Sequence, residues 1–193
     1  STLSPSSAAS DVYKRQNLYD IEGINNLEST IGIAHTRWAT HGKPSKENSH
    51  PHTDNSNTFA VVHNGIIENF TVLKEFLISK GYHFFSETDT EVIPNLIHYY
   101  YYNNIDDDDR FLRAVKSACD DLKGSYAIEV ISKFYPDKVI VVRKDSPLVI
   151  GTSKNENFIA SDIPAILSYT RNFYLLNDNE YAAVSYTHLT LPT

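Results

Sequence analysis

The sequence predicts an α+β fold, on three observations. Two apolar runs of strand length come first, at residues 31–34 and 59–62. Amphipathic segments of helix length follow in the middle of the chain, and short apolar runs separated by turn residues fill residues 126–184. Strands, then consecutive helices, then more strands are typical of an α+β protein rather than of repeated βαβ units.

The first two predicted strands each stop at a polar group. Residues 31–34 run into the tripeptide HTR at 35–37, and residues 59–62 run into HNG at 63–65. Buried strands that end in this way deliver polar side chains to one edge of a sheet. The loop between them is rich in His, Ser, Asn and Pro, and loops held by rigid strands concentrate binding and catalytic groups. We therefore expect the chemistry here.

Helical spacing of apolar side chains follows in three segments. Residues 68–80 form the first, and Gly81 supplies its C-terminal stop. The second has apolar residues at positions 92, 93, 96 and 97. Pro94 lies inside this pattern, which predicts either a kink or a helix that starts later than Asp89. Residues 111–122 form the third.

Short strands and turns are predicted for the rest of the chain. The sequence YPDK at 135–138 is a turn signal and predicts a hairpin between strands 126–131 and 139–142. Beyond it we expect two short strands, a short helix and a second hairpin; their ranges are 148–151, 157–160, 163–169, and 173–176 with 181–184.

Composition excludes several classes of protein. The net charge of −7 argues against nucleic acid and membrane surfaces as partners, because both are anionic. A single cysteine excludes a disulfide framework and a CxxC metal site, and it favours the reducing cytoplasm as the compartment. The sequence contains no apolar stretch long enough to span a bilayer.

Both ends of the chain differ from the rest. Residues 1–16 are rich in Ser and Ala without apolar periodicity, and residues 185–193 (SYTHLTLPT) follow a predicted strand without helix or turn signals. The sequences DVYKRQ (11–16) and SYTHLTLPT (185–193) resemble translated sequencing-adaptor sequence, and we expect both tails to be foreign or disordered. Residues 17–184 then form the domain, and the lack of any methionine suggests a fragment.

Six motifs occur in one order along the chain. They are HTRWATHG (35–42), NSHPH (48–52), VVHNGIIEN (61–69), SETDTEV (86–92), SPLVIG (146–151) and ENFIASD (156–162). Together they resemble the glutaminase domain of the glutamine:fructose-6-phosphate amidotransferase family, over about residues 31–184. The stretch TRWATHG is unlike its counterparts in amidophosphoribosyltransferase and asparagine synthetase, which share the fold.

The resemblance implies a fold and a reaction. The fold is an incomplete four-layer αββα sandwich of the N-terminal-nucleophile, class II glutamine amidotransferase type. In the family, an N-terminal cysteine thiol attacks the glutamine side-chain amide and releases glutamate and ammonia. The ammonia passes to a sugar-isomerase half, where fructose 6-phosphate becomes glucosamine 6-phosphate. The family needs no cofactor, and full-length members are cytoplasmic homodimers.

Substrate-binding residues follow from the same resemblance. Arg37 matches the group that binds the α-carboxylate of glutamine, a task that suits a guanidinium fork, and Thr40 and His41 add donors. Asp89 matches the carboxylate that binds the α-ammonium. Taken without the motif, Arg37 would be a surface ion-pair residue and Asp89 an N-cap for the following helix.

Oxyanion stabilisation is assigned by resemblance to the side-chain amide of Asn64 and the backbone N–H of Gly65. On its own, Asn-Gly would indicate a tight turn. Trp38 resembles the indole that gates ammonia passage, or else it is a core aromatic. His50 falls at an active-site position with a structural or substrate-ordering role.

Five histidines lie close in sequence, yet HExxH spacing and accompanying cysteines are missing, so we expect no zinc site. They are His35, His41, His50, His52 and His63.

The nucleophile is the missing part of the pattern. Residue 1 is Ser1, and the single cysteine, Cys119, lies on the apolar face of a predicted helix, where a buried structural role is expected. We therefore expect that this chain does not hydrolyse glutamine. Two alternatives stay open: the glutaminase domain of another class II amidotransferase, and a non-catalytic glutamine-binding module.

Overall fold

A computed structural model describes residues 29–36, 42–103, 109–185 and 188–190. Within these ranges the chain forms three α-helices and nine β-strands. The helices are α1 (Phe70–Ser79), α2 (Val92–Asn103) and α3 (Arg110–Asp121). The strands are β1 (His52–Thr53), β2 (Phe59–Ile67), β3 (Gly124–Ser132), β4 (Tyr135–Lys144), β5 (Val149–Thr152), β6 (Asn157–Ala160), β7 (Asn172–Leu175), β8 (Glu180–Val184) and β9 (Leu189–Thr190).

The strands form two antiparallel sheets. The larger sheet has six strands in the order β1-β2-β3-β4-β8-β9, and the smaller has three in the order β6-β5-β7. β2 and β3 pair over their full length, from Phe59 opposite Ser132 to Ile67 opposite Gly124. This long pairing makes β2 a rigid support for the groups at its end.

Alternating side chains on the six-stranded sheet build two cores. One face packs under the three helices. The most buried side chains of the core formed there are Phe59, Val61, Ile67, Leu77, Ile93, Leu96, Phe111 and Ile128. The opposite face packs on the smaller sheet through Ala127, Val139, Val141, Ile150, Leu176 and Ala182. Burying each large apolar side chain contributes about 1.5–3 kcal/mol relative to leaving it exposed. The predicted α+β sandwich of two facing antiparallel sheets is confirmed.

The outer face of the smaller sheet is covered by a short element rather than a long helix within the described residues. A 3₁₀ turn at Ile163–Ala165 stands where a helix was predicted. Ile166 and Thr170, which follow it, lie directly over Gly151, where an added Cβ would be 2.8 and 2.7 Å from their side chains. The small residue at 151 lets this segment approach the sheet.

The predictions of the three longer helices are confirmed, including the late start of the second. α2 begins at Val92, after Asp89, and Pro94 sits in its first turn, where the missing N–H costs nothing. Gly81 follows the end of α1 with φ of +91° and donates its N–H to Ile78. No described helix combines the length and the apolar character needed to cross a membrane.

The first strand prediction is wrong and the second is too short. Residues 31–34 belong to no strand. β2 does not stop at residue 62 but continues to Ile67, because Asn64 and Gly65 keep pairing with Ala127 and Tyr126 of β3. The polar groups are therefore carried on a paired strand rather than in a loop.

The turn of the β3–β4 hairpin is also displaced from its prediction. Tyr135 pairs with Ser132, so the turn is made by Lys133 and Phe134, and residues 136–138 lie within β4. A register shift between Ile131 and Ser132 accommodates these extra residues as a bulge. Bulges tolerate a proline inside a strand, which explains why the turn signal misleads.

The predicted hairpin between the last two long strands is wrong. β7 pairs with β5 in the smaller sheet, whereas β8 pairs with β4 in the larger one. Leu176 lies between the two strands, 3% exposed, in the core that joins the sheets. Beyond β8, β9 pairs with it at Leu189 and Thr190, inside the segment predicted to be a foreign tail. That prediction and the domain boundaries stay predictions.

Candidate functional site

Three segments meet at the C-terminal half of β2. They are residues 29–36, the loop at 42–51 and the loop 86–91 that precedes α2. Beside them lies a cavity of about 480 Å³ between the two sheets, lined in part by His35, Asn64 and Glu129. Four of the residues predicted from sequence, His50, Asn64, Gly65 and Asp89, are brought to this region; Arg37, Trp38, Thr40 and His41 lie outside the described residues.

Asn64 reaches the cavity from the face of β2 that is directed at the smaller sheet. Its Oδ1 lies 2.6 Å from Nε2 of His35, so the imidazole donates and the amide oxygen accepts. The amide nitrogen, Nδ2, is left on the opposite side of the group as a two-proton donor. This donor is the type of group that an oxyanion requires.

Gly65 holds a backbone conformation that other residues rarely adopt. Its φ is +125°, and a Cβ built on it would lie 2.0 Å from the carbonyl oxygen of Ser125. The close approach of β3 therefore demands glycine here. The interpretation of Asn-Gly as a tight turn is wrong, because both residues lie inside β2.

A chain of imidazoles and a hydroxyl fixes this end of β2. The ring of His35 stacks on His50 with centroids 4.2 Å apart and an interplanar angle of 18°. Nδ1 of His50 accepts the backbone N–H of His63 at 3.2 Å, and its Nε2 lies 3.4 Å from Oγ1 of Thr90. Oγ1 of Thr90 lies 3.0 Å from Nδ1 of His63. The role expected of His50, structural or ordering, suits this position.

These contacts determine the tautomers. Because Nδ1 of His50 accepts an N–H, the neutral ring carries its proton on Nε2 and donates it to Thr90. The Thr90 hydroxyl then donates to Nδ1 of His63, which places the His63 proton on Nε2. Among the described residues no group bonds this Nε2. Burial, opposed by the nearby Asp89, lowers the pKa of His63 to about 4, so the ring is neutral.

Asp89 is a buried carboxylate, 4% exposed, that connects the loop before α2 to β2. Its Oδ2 accepts the backbone N–H of Ile67 at 2.8 Å. The alternative role as N-cap is wrong, since α2 begins at Val92 and the residue before it is Glu91. Within the described part of the chain, Oδ1 of Asp89 accepts no hydrogen bond and is left to bind another group.

The loop that carries Asp89 is held rigid by a second carboxylate. Glu91 accepts the backbone N–H groups of Phe85 and Ser86 at 2.7–3.2 Å and the hydroxyl of Ser86 at 2.6 Å. Asn48 clamps the same loop from the other side, accepting the N–H of Glu87 at 2.9 Å and donating to its carboxylate at 3.3 Å. The position of Asp89 is therefore fixed before any ligand binds.

Several residues at the site have no role in the sequence-based prediction. His35, His63 and Thr90 order the end of β2, and a signal for them was present, because each lies within two residues of Arg37, Asn64 or Asp89 in the predicted motifs. Glu129 is a lone carboxyl in an apolar strand and lies between the sheets; burial raises its pKa to about 7. Within the described chain, no group of three or more His, Cys, Asp or Glu is arranged to hold a metal ion.

Cys119 lies away from this region, on α3 against the helix-covered core. Burial raises the pKa of its thiol to about 12. The site thus combines an oriented amide donor, a fixed carboxylate and imidazoles, which together suit a small zwitterionic ligand with an amide or carbonyl group.

Comparison with known proteins agrees with this chemistry. The glutamine amidotransferase domain family matches residues 35–168. The glutamine–fructose-6-phosphate aminotransferase (isomerizing) of Clostridium perfringens is 53% identical over 177 residues, which cover 90% of this chain and 28% of that protein. Its counterpart from Caldanaerobacter subterraneus subsp. tengcongensis is 55% identical over 158 residues, covering 82% of this chain and 25% of that protein. The chain therefore spans little more than a quarter of the curated relatives it matches.

Solved structures show the same fold. Glutamine phosphoribosylpyrophosphate amidotransferase of B. subtilis superposes with a TM-score of 0.67 at 24% identity, over 82% of this chain and 33% of that one. A structure described as the allosteric regulatory enzyme of purine biosynthesis gives the same TM-score at 25% identity, over 82% of this chain and 34% of that one. The N-terminal-nucleophile type of α+β sandwich is confirmed, and the chain belongs to the glutamine amidotransferase domain family.

Proposed function

We propose that this chain is the glutamine-binding, glutaminase part of a glutamine:fructose-6-phosphate amidotransferase, and that glutamine binds where β2 meets the loop before α2. The observation that carries the proposal is that an oriented amide and a buried carboxylate are both held at the same stretch of β2. Asn64 has its Oδ1 occupied by His35, and Asp89 is fixed through Ile67 at the other end of the same strand segment.

The two ends of glutamine would bind different groups. Arg37 takes the α-carboxylate through its guanidinium fork, with Thr40 and His41 as further donors. Asp89 takes the α-ammonium with Oδ1, since its Oδ2 already accepts the N–H of Ile67. A pair of unit charges 4 Å apart attract by about 4 kcal/mol at an effective dielectric constant of 20, which makes this carboxylate the main test of binding.

The side-chain amide of glutamine would then lie against Asn64 and Gly65. Attack of a thiolate on the amide carbon makes a C–S bond and moves an electron pair onto the carbonyl oxygen. The Nδ2–H of Asn64 and the N–H of Gly65 stabilise that charge, and one such donor accounts for about 100- to 1000-fold in rate. Collapse breaks the C–N bond, the proton lost by the thiol on ionisation is returned to the nitrogen, and ammonia leaves. Water then hydrolyses the thioester to glutamate and the free thiol.

Cys119 does not suit the role of the thiol. It lies on α3, packed against the helix-covered core, and its raised pKa leaves almost no thiolate at neutral pH. It is the single cysteine of the sequence. We propose that the 193-residue chain binds glutamine without hydrolysing it, and that in the longer relatives the ammonia passes Trp38 to a sugar-isomerase half in a cytoplasmic homodimer.

The same observation on Cys119 favours a second candidate, a non-catalytic glutamine-binding module. Both candidate functions predict that glutamine binds. They differ in whether the chain would hydrolyse glutamine once a thiol is present at the cavity. A variant with Met-Cys-Gly placed upstream of residue 17 produces glutamate from glutamine if the chain is a glutaminase part, and stays inactive if the chain is a binding module.

Titration calorimetry of the 193-residue chain with L-glutamine tests the binding proposal. We expect saturable heat with L-glutamine, at least about tenfold weaker binding in Asp89→Asn, and no change in Asp137→Asn, which alters an exposed carboxylate on β4. Asparagine still accepts the Ile67 N–H, so the variant tests the charge alone. Absence of binding by a folded wild-type chain, or equal binding by Asp89→Asn, would overturn the proposal.

A further inference from the structure

We propose that His35 is a positioning residue that sets which way the Asn64 amide faces. Its Nε2–H donates to Oδ1 of Asn64 at 2.6 Å, and this bond directs Nδ2 toward the carbonyl oxygen of the bound amide. The inference rests on the proposed function, because it assigns the direction of a donor at that glutamine site.

A primary amide needs such a partner to be useful as an oxyanion donor. Its oxygen and nitrogen have nearly the same shape, and a rotation of 180° exchanges an acceptor for a donor at the same place. Asn64 is exposed at the cavity, and its neighbour across the ladder, Ala127, has no polar side chain to choose between the two orientations. The hydrogen bond from His35 selects the orientation in which Oδ1 faces the imidazole.

His35 is itself held by β2 through a closed circuit of contacts. Its ring stacks on His50, and His50 accepts the backbone N–H of His63. His63 and Asn64 are consecutive residues of β2, so the circuit leaves the strand at one residue and returns at the next. Residues 31–34 belong to no strand, so these ring contacts substitute for a ladder in placing His35.

The position of the His35 ring proton decides which way the Asn64 amide faces. With its proton on Nε2, His35 donates to Oδ1 and leaves both Nδ2 protons of Asn64 for the ligand. With its proton on Nδ1 alone, Nε2 becomes an acceptor, attracts Nδ2, and presents the amide oxygen to the ligand instead. An amide oxygen beside a developing negative charge repels it, so the first tautomer is the competent one.

Nitrogen NMR of the 193-residue chain tests this directly, with two variants. His35→Phe keeps an aromatic ring to stack on His50 but has no donor; His35→Gln keeps an N–H donor near the position of Nε2. The probe is the Asn64 side-chain NH₂ signal, assigned by its loss in Asn64→Asp. We expect a rigid group in the wild type and in His35→Gln, with an order parameter of about 0.85, and a fall below about 0.6 in His35→Phe.

A second measurement keeps the proposal testable where His35→Phe does not fold. A long-range proton–nitrogen spectrum of the wild type is expected to show Nε2 of His35 as the protonated nitrogen at neutral pH. A proton on Nδ1 alone, an Asn64 amide that is mobile in the wild type, or one that is equally rigid in folded His35→Phe would each overturn the proposal. Glutamine added to the same samples separates the two proposals. NMR signals that do not change with glutamine contradict the proposed function, whereas the order parameters of the Asn64 amide test the role of His35.

Discussion

Gly65 and Ser125 approach so closely that a Cβ on Gly65 would lie 2.0 Å from the Ser125 carbonyl oxygen. Gly124, beside Ser125, has the reciprocal relation, since its Cβ would lie 2.1 Å from the carbonyl oxygen of Ile66. Both glycines have positive φ, of +125° and +121°. The paired glycines let β2 and β3 stay joined while β2 presents Asn64 at the cavity.

Gly65→Ala is therefore expected to destabilise the chain by about 3 kcal/mol or more, because backbone strain and a backbone clash add. Two other glycines supply graded controls. Gly81→Ala meets no atom within 4 Å but keeps φ of +91°, and is expected to cost about 1–2 kcal/mol. Gly32→Ala meets neither obstacle and is expected to be nearly neutral. Urea unfolding of the three variants measures the order, and a Gly65→Ala variant as stable as Gly32→Ala would contradict the geometry.

Local sequence determined the three longer helices well, because each carries its own apolar stripe. Local sequence did not predict which strands pair with each other. The turn residues at 177–179 correctly indicate a change of direction, but nothing local distinguishes a hairpin from a crossing to the other sheet. That choice depends on Leu176, whose burial between the sheets sends β7 to β5 and β8 to β4.

The site shows the same division. The motifs named Asn64 and Asp89 as candidate ligand-binding residues, because resemblance transfers side-chain chemistry. They could not show that Oδ2 of Asp89 is committed to Ile67, or that His35 occupies one side of the Asn64 amide. Those relations join residues 22 and 29 positions apart in sequence, and the loops that bring them together on β2 carry no local signal of it.

The Cys119 thiol is expected to be unreactive in the folded chain. Burial raises its pKa to about 12, which leaves on the order of 0.01% thiolate at pH 8. Alkylation by iodoacetamide should therefore be slow in buffer and fast in 6 M guanidinium chloride, where the thiol has its ordinary pKa. Rapid labelling of the native chain at pH 8 would contradict this assignment and reopen Cys119 as a nucleophile.

His63 is expected to make stability depend on pH in one direction. Its folded pKa of about 4 is below the ordinary 6.5, so between these values the unfolded state binds a proton that the folded state does not. The contribution of His63 to the free energy of unfolding is therefore complete above pH 6.5. It falls as the pH is lowered toward 4, by up to about 1.4 kcal/mol per pH unit. His63→Gln should remove this component between pH 6.5 and 5, whereas His83→Gln controls for loss of an exposed imidazole.

Glu129 is expected to act in the opposite direction over an overlapping range. Burial raises its folded pKa to about 7 from 4.5, so between these values the folded state holds a proton that the unfolded state has lost. Its contribution is full below pH 4.5 and is lost as pH rises through 7. Glu129→Gln should therefore gain at least about 1 kcal/mol over the wild type on going from pH 5 to pH 8.

The two opposed groups make single variants more informative than the wild type, whose unfolding free energy conceals both between pH 4.5 and 6.5. Replacing Glu129 exposes the rise due to His63, and replacing His63 exposes the fall due to Glu129. Glu156→Gln, an exposed acid beside the smaller, 190 Å³ cavity that Glu129 also lines, is the matched control and should keep the wild-type profile. A Glu129→Gln variant that parallels the wild type at every pH would show that water reaches this carboxyl and that the space between the sheets is open to solvent.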